Sequence, residues 1–182
     1  SLDKNILHTA ANEYIYKIKK LSNKKKITDK LPINFKWIGF IKLMFPNAKV
    51  ILCKRNAKDT CLSIYKNYFT NLDLNYAYNL DNLVNFHNLY LDLVRFWKIL
   101  LPKFIIEIEY EKLIDNQKNE IKKIINDCDL KWSNKCLEFY NNSRPINTAS
   151  DIQARNKIYK SPVNTWKKYY KFIDKYFYNL KG

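Results

Sequence analysis

Glycine is nearly missing from this chain: of 182 residues only Gly39 and the final Gly182 are of that type. No Gly-rich loop that wraps a phosphate with backbone N–H groups can be assembled from them. Histidine occurs twice, at His8 and His87, and the four cysteines, Cys53, Cys61, Cys128 and Cys136, contain no CxxC pair. That set argues against a zinc site, and no metal is expected. No window approaches the roughly 18 uninterrupted apolar residues of a membrane span, and the first residues lack the apolar core of a secretory signal. A cytoplasmic protein with no span in this stretch is expected. Its first residue is Ser, which fits a chain beginning inside a longer protein.

Acidic residues are also few, 17 against 33 Lys and Arg, for a formal net charge of +16. A surplus of this size invites a nucleic-acid reading, because clustered cations neutralise phosphates and release counterions. The cations spread along the whole chain, however, with Lys19 to Lys26 the densest cluster. Together with abundant Asn, Ile and Tyr, that is the bias of an AT-rich genome, and no nucleic-acid partner is expected. Cys53, in an apolar strand, and Cys61, on a helix, read as packed thiols of a reducing compartment. Cys128 and Cys136 flank Trp132 and would suit a local disulfide only in an exported protein.

Hydrophobic residues make up 47% and aromatics 15%, enough for a core in one domain. Apolar spacing predicts a helix over 5–22, an extended piece at 27–30, and a helix capped by Asn34 that ends at Pro46. A strand at 49–53 then feeds a helix over 57–69. After a Tyr-rich connection at 70–80, a helix over 82–100 capped by Asp81 leads past Pro102 into a strand at 104–110. Strand, helices and strand in this order imply a parallel crossover. Helices are expected at 117–127, 134–141 and 163–180, with a polar loop over 143–162.

Four motifs stand in this frame: Thr28-Asp-Lys-Leu-Pro-Ile-Asn34, Phe45 to Ser63 around Cys53-Lys-Arg55, Tyr110-Glu-Lys-Leu113, and Thr148 to Arg155 continuing to Trp166. In order and spacing the chain resembles the sulfotransferase superfamily, in the branch around tyrosylprotein sulfotransferases and bacterial sulfotransferase domains joined to tetratricopeptide repeats. The resemblance implies an α/β, P-loop-NTPase-like three-layer fold, with a small parallel sheet flanked by helices. It implies 3'-phosphoadenosine-5'-phosphosulfate (PAPS) as donor and a hydroxyl acceptor on a protein, carbohydrate or small molecule.

Within that resemblance Arg55 and Ser63 match the grip on the nucleotide 3'-phosphate. An Arg fork and a hydroxyl suit phosphate oxygens, and such charge-assisted bonds contribute roughly 1.5 to 3 kcal/mol each. The competing reading of Arg55 is a surface ion pair with Asp59, worth about 0 to 1 kcal/mol. Lys30 matches a basic position facing the sulfuryl group; protonated at neutral pH, it would stabilise charge on the leaving oxygen rather than remove a proton. Its plain alternative is one more surface Lys. Tyr110 either contacts the nucleotide near adenine or packs at a strand end. Arg155, Lys157 and Tyr159 match a late loop that folds over the nucleotide, while Trp132 and Trp166 read as core anchors.

The resemblance also implies parts that these residues do not supply: a first strand, a phosphosulfate loop and an acidic catalytic base, all expected before residue 1. Residues 1–182 then form the C-terminal portion of a single sulfotransferase domain, inactive alone but keeping the 3'-phosphate half of the site. Two other classes stay open on the residues: a basic nucleic-acid-binding module using exposed aromatics, and a nucleotide-kinase-like P-loop relative.

Overall fold

A computed structural model describes residues 3–142, 155–159 and 161–182. The chain forms two compact units, one of residues up to Val50 with Asp92–Ile105, the other of Ile51–Leu91 with Ile106–Gly182. The expected residues Thr148 to Ala154 of the fourth motif, and most of the loop over 143–162, lie outside the described set.

In the first unit, α1 (Lys4–Leu21) starts at Asp3, whose side chain accepts the Asn5 N–H at 2.8 Å, and packs against α2 (Ile38–Met44). The segment before α2 departs from expectation. Pro32 opens a 3-10 turn over Pro32–Trp37, so Asn34 sits inside that turn instead of capping a helix. The physical reason is the proline ring, preset for a first helical position and needing no donor there. Gly39 has a packing role: a Cβ at this position would lie 2.6 Å from the Trp97 ring. That indole is held in turn by its Nε1 donating to the Phe35 carbonyl at 3.0 Å. Ala11, Ile38, Val94 and Phe104 are buried in this unit.

The second unit holds most of a two-stranded parallel sheet, β1 (Val50–Lys54) beside β2 (Ile105–Glu109). The crossover between them runs through α3 (Ala57–Tyr65) and α4 (Leu80–Leu100); α4 gives its first half to this unit and its second half to the other. Helices flank the sheet, as the α/β expectation requires. Strand alternation decides the fate of the β1 side chains: Leu52 turns inward and is buried, so Ile51 and Cys53 face out. Cys53 is therefore exposed, contrary to the packed thiol expected for it. Cys61 is buried as expected, and burial raises its thiol pKa to about 12. No disulfide joins Cys128 and Cys136.

Helix ends differ from the sequence reading where side chains intervene. The helix expected to reach residue 69 stops at Tyr65, and the Asn67 amide donates to the Ser63 carbonyl at 2.7 Å across that end. A 3-10 stretch, Leu72–Tyr78, follows. Asn79, not Asp81, caps α4: its side chain accepts the Asn82 N–H at 2.9 Å. The strand expected to run through residue 110 ends at Glu109, and Tyr110 begins α5 (Tyr110–Asp115), ahead of α6 (Gln117–Asp127). Residues 134–141 form 3-10 turns rather than a helix, and the last helix is a 3-10 turn over Thr165–Tyr169 followed by α7 (Tyr170–Phe177).

The core of the second unit joins α3, α4 and α7 through Cys61, Leu62, Leu80, Leu83, Val84, Ile173 and Phe177, with Trp166 packed against it. Among the described residues no helix is long and apolar enough to cross a membrane, and no group of three or more His, Cys, Asp or Glu could hold a metal ion.

Gly39→Ala forces the Trp97 ring aside and should cost about 1 to 3 kcal/mol in urea denaturation; an unchanged midpoint would show that the ring yields. His87 is buried against Tyr90, and burial lowers its pKa from the ordinary 6.5. The unfolded chain then takes up the proton first, so stability falls as pH drops through the ordinary value toward the folded one. Between about pH 7 and pH 5 the parent should lose more stability than His87→Phe, read as the difference in urea midpoints.

Candidate functional site

The turn from β1 into α3 gathers the chemistry of the second unit. Asn56 is the N-cap of α3: its side chain accepts the Asp59 N–H at 3.1 Å, and its carbonyl accepts both the N–H and the hydroxyl of Thr60 at 2.9 Å. In a capping box the acid at the third helical position reaches back to the N-cap N–H. Here another residue takes that N–H: Asn56 donates to Glu111 Oε1 at 2.9 Å, from the first turn of α5.

Asp59 is thereby left for a different task. Its Oδ2 accepts the Asn164 N–H at 2.7 Å and its Oδ1 the Trp166 N–H at 3.0 Å. At 2% exposure the carboxylate is buried, and two charge-assisted bonds offset the loss of water. Asn164 adopts a left-handed backbone (φ 60°), which Asn tolerates better than most residues. That bend lets two backbone donors two residues apart reach one carboxylate. The surface ion pair considered for Arg55 and Asp59 does not describe this residue, which is buried and whose two carboxylate oxygens accept backbone N–H groups.

Arg55 itself is half-buried at the end of β1. Its Nη2 donates to the Pro162 carbonyl at 2.8 Å, and its guanidinium carbon lies 5.3 Å from the centre of the Tyr110 ring. Its Nε is buried without a hydrogen-bond partner among the described residues. Burial pushes the Tyr110 phenol above its ordinary pKa of 10; the Arg55 charge opposes this, while Tyr159 and Glu111 add to it. Arg55, Tyr110 and Tyr159 thus share one neighbourhood.

The remaining expected residues fall elsewhere. Ser63 stands one turn beyond Asp59 on α3 and is half-buried. Arg155 donates through Nη1 to the Asn142 carbonyl, and the Lys157 ammonium lies 5.5 Å from the centre of the Tyr140 ring, so both turn toward residues 140–142. Lys30 belongs to the first unit, exposed in the extended segment before Pro32. Its neighbour Asp29 accepts the Tyr14 hydroxyl at 2.6 Å, tying that segment to α1. The Tyr14 phenol is raised to about 12 by burial first and by Asp29 second.

Nearby cations already have company. Lys54 pairs with Glu107 at 3.8 Å; Lys58 lies 3.6 Å from Asp174 and 4.4 Å from the Trp166 ring centre. Two residues of the site had no role in the sequence reading: Asp59, considered only as a surface partner, and Glu111. Their shared signal is an acid within the first turn of a helix that follows a strand.

Comparison with known proteins gives two findings. The profile described as "Sulfotransferase family" matches residues 3–134. An uncharacterized protein of Aquifex aeolicus (strain VF5) is 37% identical over 174 residues, covering 94% of this chain and 23% of that relative. The chain therefore spans about a quarter of the length of the curated relative it matches.

The Asp59 bridge has a direct test. Asp59→Asn replaces one acceptor with an amide N–H aimed at another N–H, and should destabilise by roughly 2 to 3 kcal/mol. Hydrogen exchange at Asn164 and Trp166 should accelerate selectively; unchanged protection at those two amides would refute the bridge.

Proposed function

Because the chain belongs to the sulfotransferase family, we propose that it carries the nucleotide 3'-phosphate grip of a PAPS-dependent sulfotransferase. The observation that carries this reading is the state of Arg55. Its guanidinium is braced by a carbonyl and an aromatic face, yet its buried Nε has no acceptor among the described residues. A buried unpaired donor costs about 1 to 3 kcal/mol, and a phosphate oxygen is the acceptor that would best relieve it.

In this reading Arg55 and Ser63 hold the 3'-phosphate, Tyr110 and Tyr159 border the nucleotide, and Arg155 and Lys157 belong to the loop over it. Bound PAPS supplies the sulfuryl group to be transferred. For Lys30, in the first unit, the resemblance implies a protonated side chain that stabilises charge building up on oxygen as a sulfuryl bond breaks. The acceptor is a hydroxyl of a protein, for instance a tyrosine, of a carbohydrate or of a small molecule; the four motifs resemble the tyrosylprotein and repeat-associated bacterial branch. The 182 residues act as one portion of a sulfotransferase domain.

Calorimetry on the chain tests the grip. Adenosine 3',5'-bisphosphate should bind more tightly than adenosine 5'-monophosphate, and Arg55→Ala should remove roughly tenfold or more of that preference. Arg55→Lys should restore it only in part, because an ammonium cannot make the planar double contact. Lys98→Ala should leave it intact. Equal losses from Arg55→Ala and Lys98→Ala would identify diffuse electrostatics as the cause and end this assignment.

A further inference from the structure

Tyr110 and Glu111 are adjacent residues at the start of α5, and they meet two adjacent residues at the end of β1. The Tyr110 ring faces the Arg55 guanidinium, and the Glu111 carboxylate accepts the Asn56 N–H. The two strands run in parallel, so the side chains prolong the strand pairing by two residues after the backbone ladder has ended. The side chain and carbonyl of Asn56 bond into α3 itself. They set where α3 begins but do not aim the turn at its neighbour. Glu111 makes the hydrogen bond that ties this turn to α5.

Resting on the reading of Arg55 given above, we propose that Glu111 is a positioning residue for the 3'-phosphate grip. By accepting the Asn56 N–H it fixes the main chain immediately after Arg55, and so holds the guanidinium against Tyr110 in one orientation. An N-cap N–H would otherwise be met by the acid three residues on. With Asp59 committed to Asn164 and Trp166, that substitute is absent. Losing Glu111 therefore leaves the turn without a replacement acceptor from its own helix, and the fork of donors on Arg55 loses its fixed direction.

The experiment compares Glu111→Ala, Glu111→Gln and Arg55→Ala by calorimetry with adenosine 3',5'-bisphosphate and adenosine 5'-monophosphate, alongside urea denaturation of each variant. Glu111→Ala should lower the preference for the bisphosphate about tenfold. Glu111→Gln keeps a side-chain carbonyl at the same reach and should recover most of the preference. A stability loss shared by Ala and Gln, with the preference following stability, would mean a merely structural role and overturn the proposal. Tighter bisphosphate binding by Glu111→Ala would overturn it in the other direction, showing that the carboxylate competes with the phosphate. If Arg55→Ala removes the preference and Glu111→Ala leaves it whole, the positioning role alone fails. Should the parent bind both nucleotides alike, the 3'-phosphate reading fails, and this inference with it.

Discussion

The second unit is organised around a buried carboxylate. Asp59 sits in the first turn of α3, where the helix dipole favours negative charge, and it accepts two backbone N–H groups from a segment more than 100 residues later in the chain. That segment leads through Trp166 and the following 3-10 turn into α7, whose Ile173 and Phe177 complete the core against α3 and α4. This polar anchor sets the register in which the last helix begins, and Asn88 of α4 fixes its far end by donating to the Asn179 carbonyl and accepting the Lys181 N–H, each at 2.9 Å. Apolar contacts among Leu, Ile and Phe are nondirectional and tolerate sliding, whereas two hydrogen bonds to one carboxylate do not.

The anchor depends on a substitution of partners. An N-capped helix with an acid at its third position ordinarily closes on itself, acid to N-cap N–H. Glu111 occupies that N–H from the neighbouring α5, so Asp59 can turn to the C-terminal segment without leaving a donor unmet. Arg55, just ahead of the cap, uses one donor on the same segment at Pro162. Strand end, helix start, α5 and the late segment are therefore joined within a few residues by bonds of which each releases the next.

Periodicity revealed the long helices, because Leu83, Trp97 and their neighbours recur at three and four positions and nothing interrupts them. It could not reveal how elements end. Asn79 displaced Asp81 as the α4 cap, although both residue types cap well, and nothing local distinguishes them. Tyr110 looked like the last residue of a strand since aromatic and β-branched residues precede it; it starts a helix instead, which carries Glu111 to Asn56. Cys53 is exposed where the apolar run suggests burial, because such a run does not say which of its faces is covered. Arg55 was legible as a candidate from its position between strand and helix. Asp59 was not, since its partners are backbone groups, and backbone donors leave no trace in residue type.

The net charge of +16 bears on this site in a limited way. Such a field draws anions of every kind toward the chain, but exposed charges farther apart than about 8 Å are largely screened at physiological ionic strength. It can raise the rate of encounter without distinguishing a nucleotide bearing a 3'-phosphate from one lacking it. The lysines flanking the turn are further tempered by partners, Lys54 by Glu107 and Lys58 by Asp174 and the Trp166 ring. Discrimination must come from donors held in place before the ligand arrives, since only those favour one phosphate position over another. In this unit that description fits a guanidinium braced by an aromatic ring and a carbonyl, on a backbone fixed by Glu111. The feature that would make the site selective is its rigidity, which the chain's abundance of lysine cannot supply.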